Sequence, residues 1–68
     1  MHYVEVIYLE KGQYKSRKKV DYLEKEATVM FLRTVNKFKE ESKNALICLR
    51  DEAHQLLKVE LISPVITL

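Results

Sequence analysis

The stretch Asp21–Asn44 (DYLEKEATVMFLRTVNKFKEESKN) contains neither glycine nor proline, and its apolar residues recur at helical spacing. At about 100° per residue, Leu23, Ala27, Met30, Phe31, Thr34 and Phe38 share a stripe about 100° wide, with Val35 on its flank. Asp21 offers an N-cap carboxylate, and Glu24 three residues on completes a capping-box spacing. Asn44 suits the left-handed conformation that ends many helices, and Lys43 complements the dipole there. These signals predict one long helix over residues 22–43. Val29 and Leu32 fall outside the stripe, so they are the candidate self-association residues of this helix.

The segments on either side read as strands. In Tyr3–Leu9, Val4, Val6 and Tyr8 alternate with Tyr3, Glu5, Ile7 and Leu9. Both sets are largely apolar, which predicts a central or doubly covered strand. Gly12 then predicts a three-residue hairpin loop with the glycine left-handed. The second strand, Tyr14–Val20, carries Lys15, Arg17 and Lys19 on one side, a purely basic face that belongs in water and suits a sheet edge. After the helix, Ala45–Arg50 is a short apolar run of strand length. Gln55–Ile62 follows, with Leu57, Val59 and Leu61 opposite Lys58 and Glu60. The intervening Asp51–His54 lacks glycine, proline and asparagine, and Leu49, Glu52, Ala53 and Leu56 also match helical spacing. A second helix over Leu46–Leu57 is therefore the alternative to a second hairpin. Pro64 ends the last strand, and the apolar tail 63–68 is expected to pack on the domain or on a partner.

The resulting expectation is an α+β fold of order β-β-α-β-β: a four-stranded antiparallel sheet with one long helix packed on one face. It comprises a hairpin over 3–20, the helix, a hairpin over 45–62 and the tail, all in a single domain. The face without the helix would hold some of Tyr3, Tyr8, Tyr14, Ile7, Leu56 and Ile62. An apolar face of that kind invites a homodimer contact or another partner.

Chemistry-bearing residues are sparse. Two histidines, His2 and His54, lie far apart, and the single Cys48 sits within the apolar run ALICL, where a buried inert thiol is the expectation. One glycine in the whole chain forbids both a phosphate-binding glycine loop and a dinucleotide fingerprint. No catalytic, cofactor-binding or metal-ligating residue is assigned, and a non-enzymatic protein without cofactor is the expectation. The start MHYVEVIYLEKG has no signal-peptide pattern, and no apolar run is of membrane-spanning length. A soluble, cytoplasmic protein with no membrane partner is the reading.

Charge is the one positive signal. The chain carries +2 overall, but Lys11, Lys15, Arg17, Lys18 and Lys19 fall within residues 11–19 without a single acid, leaving seven bases against ten acids elsewhere. These five, with Tyr14 among them as a stacking aromatic, are the candidate contacts to a polyanion or an acidic protein. The functional expectation is a small macromolecular interaction module that self-associates, of the type of a bacterial or viral accessory or inhibitory protein. The alternative is a nucleic-acid-binding protein that uses the basic hairpin 11–19.

Overall fold

The structure, a computed structural model, describes residues 1–21 and 23–63. Its elements are β1 (His2–Glu10), β2 (Gln13–Asp21), α1 (Glu24–Glu40), β3 (Ala45–Arg50) and β4 (Leu56–Ile62). The strands form one antiparallel sheet in the order β2-β1-β3-β4, and α1 packs on one face of it. The α+β architecture is the one read from the sequence, and the competing helix over Leu46–Leu57 is a strand hairpin instead. β1 is antiparallel to both of its neighbours, so β2 and β3 run the same way and α1 is the crossover between them. Its 17 residues span about 25 Å at 1.5 Å each. That is close to the length of the strands beneath it.

Alternation fixes the two faces. Val4, Val6 and Tyr8 of β1, Ala45, Ile47 and Leu49 of β3, and Ile62 of β4 turn towards the helix. They close a core with Ala27, Phe31 and Val35, with Met30 and Phe38 packed at its margin. The helical stripe is thus rotated from its predicted centre. Val35 is buried rather than flanking, and Thr34 is half-buried with its hydroxyl donating to the Met30 carbonyl at 2.7 Å. Leu23, read as part of the stripe, precedes the helix and is 62% exposed. Tyr8 and Ile62, both placed among candidates for the uncovered face, belong to the core because they share alternation with Val4 and Val6 and with Ala45 across the β3–β4 ladder.

The local signals at the helix ends are used differently from the way they read. Helix α1 starts at Glu24, and its N-cap is Leu23, with no side-chain cap. Asp21 is still the last residue of β2, and its carboxylate accepts from the Leu23 N–H at 3.2 Å, which fixes the strand-to-helix turn rather than the first helical turn. At the far end the helix stops at Glu40, and Ser42, not Asn44, takes the left-handed conformation with φ 53°. The Ser42 N–H donates to the Lys39 carbonyl and the Lys43 N–H to the Phe38 carbonyl, both at 3.1 Å. These two bonds make a Schellman closure.

The first hairpin is tighter than predicted. Glu10 pairs with Gln13, so only Lys11 and Gly12 form the loop, with φ 51° and 78°. Positive φ at both positions is the type I′ geometry whose twist matches the strands. The second turn is built by Asp51, whose Oδ1 accepts from the Ala53 and Gln55 N–H groups at 2.9 and 3.0 Å. A bulge follows: Leu49 pairs with Lys58 but Arg50 pairs with Leu56. β4 then runs with Lys58 and Glu60 on the helix side and Val59 and Leu61 on the open side. No helix among the described residues is long and apolar enough to cross a membrane. The expected packing of the tail concerns residues 64–68, which lie outside those described.

Candidate functional site

β2 is an edge strand, and its register decides where its charges go. Lys15, Arg17 and Lys19 pair with Tyr8, Val6 and Val4, the three β1 residues that turn towards α1. The basic row therefore lies on the helix side of the sheet, on a strand that the helix does not cover: every residue from Gln13 to Val20 is exposed. Between this row and the second half of α1 runs a groove of about 450 Å³, with Val4, Val6, Tyr8 and Phe38 as its floor. Arg17 lies over the Tyr8 ring, 5.4 Å from its centroid, and Tyr8 meets Phe38 at 6.1 Å. The aromatic pair thereby holds the guanidinium across the groove.

The opposite wall comes from the helix and its closing turn: Lys37, Glu41 and Lys43. Lys43 Nζ pairs with Glu41 Oε2 at 3.0 Å, and Lys15 pairs with Glu10 at 3.3 Å. The Glu41 carboxyl is held below the usual carboxylate range, first by its hydrogen bond from Lys43 and then by the charges of Lys43 and Lys37. Among the described residues, Arg17, Lys19 and Lys37 have no ion-pair partner. The groove thus presents three cations outside any ion pair, beside the Lys43–Glu41 pair and the Glu10 carboxylate that Lys15 holds.

Not all of the sequence candidates meet here. Lys18 and Tyr14 alternate to the other side of β2, although Lys18 also borders the groove. Lys18 reaches Glu5 at 3.9 Å and lies 5.5 Å from the Tyr3 ring centroid. Tyr14 pairs with Leu9 and is 80% exposed, away from the basic row. Lys11 is at the hairpin tip. Lys37 was not among the candidates. The helical wheel places it within about 20° of Met30, on the flank of the buried stripe, and that adjacency was the available signal. Val29 and Leu32 both lie on the exposed side of α1.

The open face of the sheet divides into two ends. One is polar: the Tyr3 hydroxyl and His54 Nδ1 are 2.8 Å apart, Arg50 donates to the His54 carbonyl at 2.9 Å, and Glu5 lies 3.9 Å from both Lys18 and Arg50. The other is apolar, with a depression of about 380 Å³ lined chiefly by Ile7, Leu9, Tyr14, Leu46 and Leu61. Cys48 is on this face in register with Glu5 and Val59, yet only 4% exposed. His2 alternates to the other side from Tyr3 and His54, so the two histidines do not converge. No group of three or more His, Cys, Asp or Glu among the described residues could hold a metal ion.

Comparison with known proteins returned no match to a protein-family model, a curated protein or a solved structure.

Proposed function

We propose that this protein is a non-enzymatic interaction module that binds the phosphate backbone of a nucleic acid along the groove between β2 and α1. The observation that carries this reading is that Arg17 and Lys19 from the edge strand face Lys37 from the helix, none of them in an ion pair among the described residues, in a groove where bases outnumber the two carboxylates Glu10 and Glu41. Uncompensated cations at a groove attract an extended anion and give up bound counterions when it docks. Of the aromatic floor, Tyr8 is buried and Phe38 half-buried, and the exposed groups of the groove are its cations. Recognition is therefore of backbone charge rather than of sequence.

The test is fluorescence anisotropy with single-stranded and duplex oligonucleotides across a salt series. Three released counterions give a slope of log K against log salt of about −2 to −3. Arg17→Glu and Lys37→Glu should each weaken binding about tenfold or more and make the slope shallower by about one. Tyr14→Ala, on the other face, should change it less than about twofold. Binding that survives both groove variants, or has no salt dependence, overturns the assignment. Displacement by poly-glutamate at lower concentration than by nucleic acid would instead identify an acidic protein surface as the partner.

A further inference from the structure

We propose that a second copy of this chain pairs with the free edge of β4, in antiparallel register centred on Val59, to make one continuous eight-stranded sheet. The two-residue turn sets which backbone groups are available. Glu10 and Gln13 flank that turn as a hydrogen-bonded pair, so the even-numbered residues of β1 bond to β2 and the odd-numbered ones to β3. The same alternation carried through β3 makes Ile47↔Glu60 and Leu49↔Lys58 hydrogen-bonded pairs. Val59 and Leu61 are left with their N–H and C=O groups pointing outward, with no strand beyond them among the described residues.

The side chains choose the register. With Val59 opposite Val59 of the second copy, Lys58 faces Glu60 of the second copy, and Glu60 faces its Lys58, on the helix side. Leu61 faces Leu57 of the second copy. The Lys58 and Glu60 pairs fall in non-hydrogen-bonded positions, where side chains are closest. Moving the centre to Glu60 places glutamate on glutamate, and moving it to Lys58 places lysine on lysine. Lys58 has no ion-pair partner among the described residues, and Glu60 meets only Lys39, at 3.5 Å. The β2 edge is the opposite case: Lys15, Arg17, Lys18 and Lys19 would confront their own copies.

Sedimentation equilibrium from about 10 to about 500 micromolar, the range suited to a small edge interface, tests this. The wild-type chain should dimerise. Lys58→Glu alone and Glu60→Lys alone should each weaken dimerisation about tenfold or more, because both interchain pairs become like-charged. An equimolar mixture of the two variants should recover the dimer as a heterodimer, since one chain then presents acids at both positions and the other presents bases at both. Far-UV circular dichroism of each variant controls for folding. A wild-type monomer throughout the range overturns the proposal. So does a dimer indifferent to both swaps, or a mixture no more associated than its components. None of these outcomes depends on nucleic-acid binding, which uses the other edge.

Discussion

Lys11, Ser42 and His54 adopt left-handed backbone conformations that glycine or asparagine would fill with less strain. Ser42 is the clearest case, because it closes the helix at the position where glycine is most common. Ser42→Gly should raise stability by about 0.5–1 kcal/mol, seen as a higher urea midpoint at unchanged m value. An unchanged or lower midpoint would show that the closure carries no strain. These positions also explain what sequence reading misses. The turn after β3 has no glycine, proline or asparagine to announce it, and its chemistry resides in one carboxylate, Asp51, that accepts two backbone N–H groups. Asp21 reads as a helix cap, yet it serves a turn one step earlier, since an aspartate satisfies either role.

At the scale of elements, periodicity located α1 and all four strands, while side chains at their margins escaped it. α1 lies over β1 and β3, so the polar residues of β4, Lys58 and Glu60, are tolerated on the helix side at the sheet margin. The apolar residues Val59 and Leu61 then face outward, and no alternation pattern says which side of an outer strand will be covered. The groove was legible only in part for a similar reason: its strand wall is a run of bases in sequence, whereas Lys37 joins it through tertiary packing. Its electrostatics yield a further expectation. Glu41 neutralises Lys43, so Glu41→Gln should tighten oligonucleotide binding about two- to fivefold in the same anisotropy assay. Because this carboxyl is held below the usual carboxylate range, it stays ionised as pH falls through that range. The gain from its protonation appears only at more acid pH. A Glu41→Gln variant that binds no more tightly than wild type would mean Lys43 does not contact the ligand.

For the whole molecule, 68 residues imply a total stability of about 3–10 kcal/mol. Phe31 is the largest helix side chain in the core, and Phe31→Ala should remove about 3–5 kcal/mol, enough to leave much of the chain unfolded at room temperature. Leu32, 53% exposed on α1, offers the contrast: Leu32→Gln should shift the thermal midpoint by no more than a surface change does, about 0.5 kcal/mol in stability. Parallel melting curves of the two variants by circular dichroism check both values. A Phe31→Ala protein as stable as wild type would contradict the core described above.

The lysine-rich edge at β2 determines how far such a sheet can grow. Two copies joined through β4 leave β2 as the outermost strand at both ends, so each terminus repels a further subunit. Growth stops at a closed pair and does not run on into a filament. The same lysines and arginine that face the groove would thus also act as chain terminators.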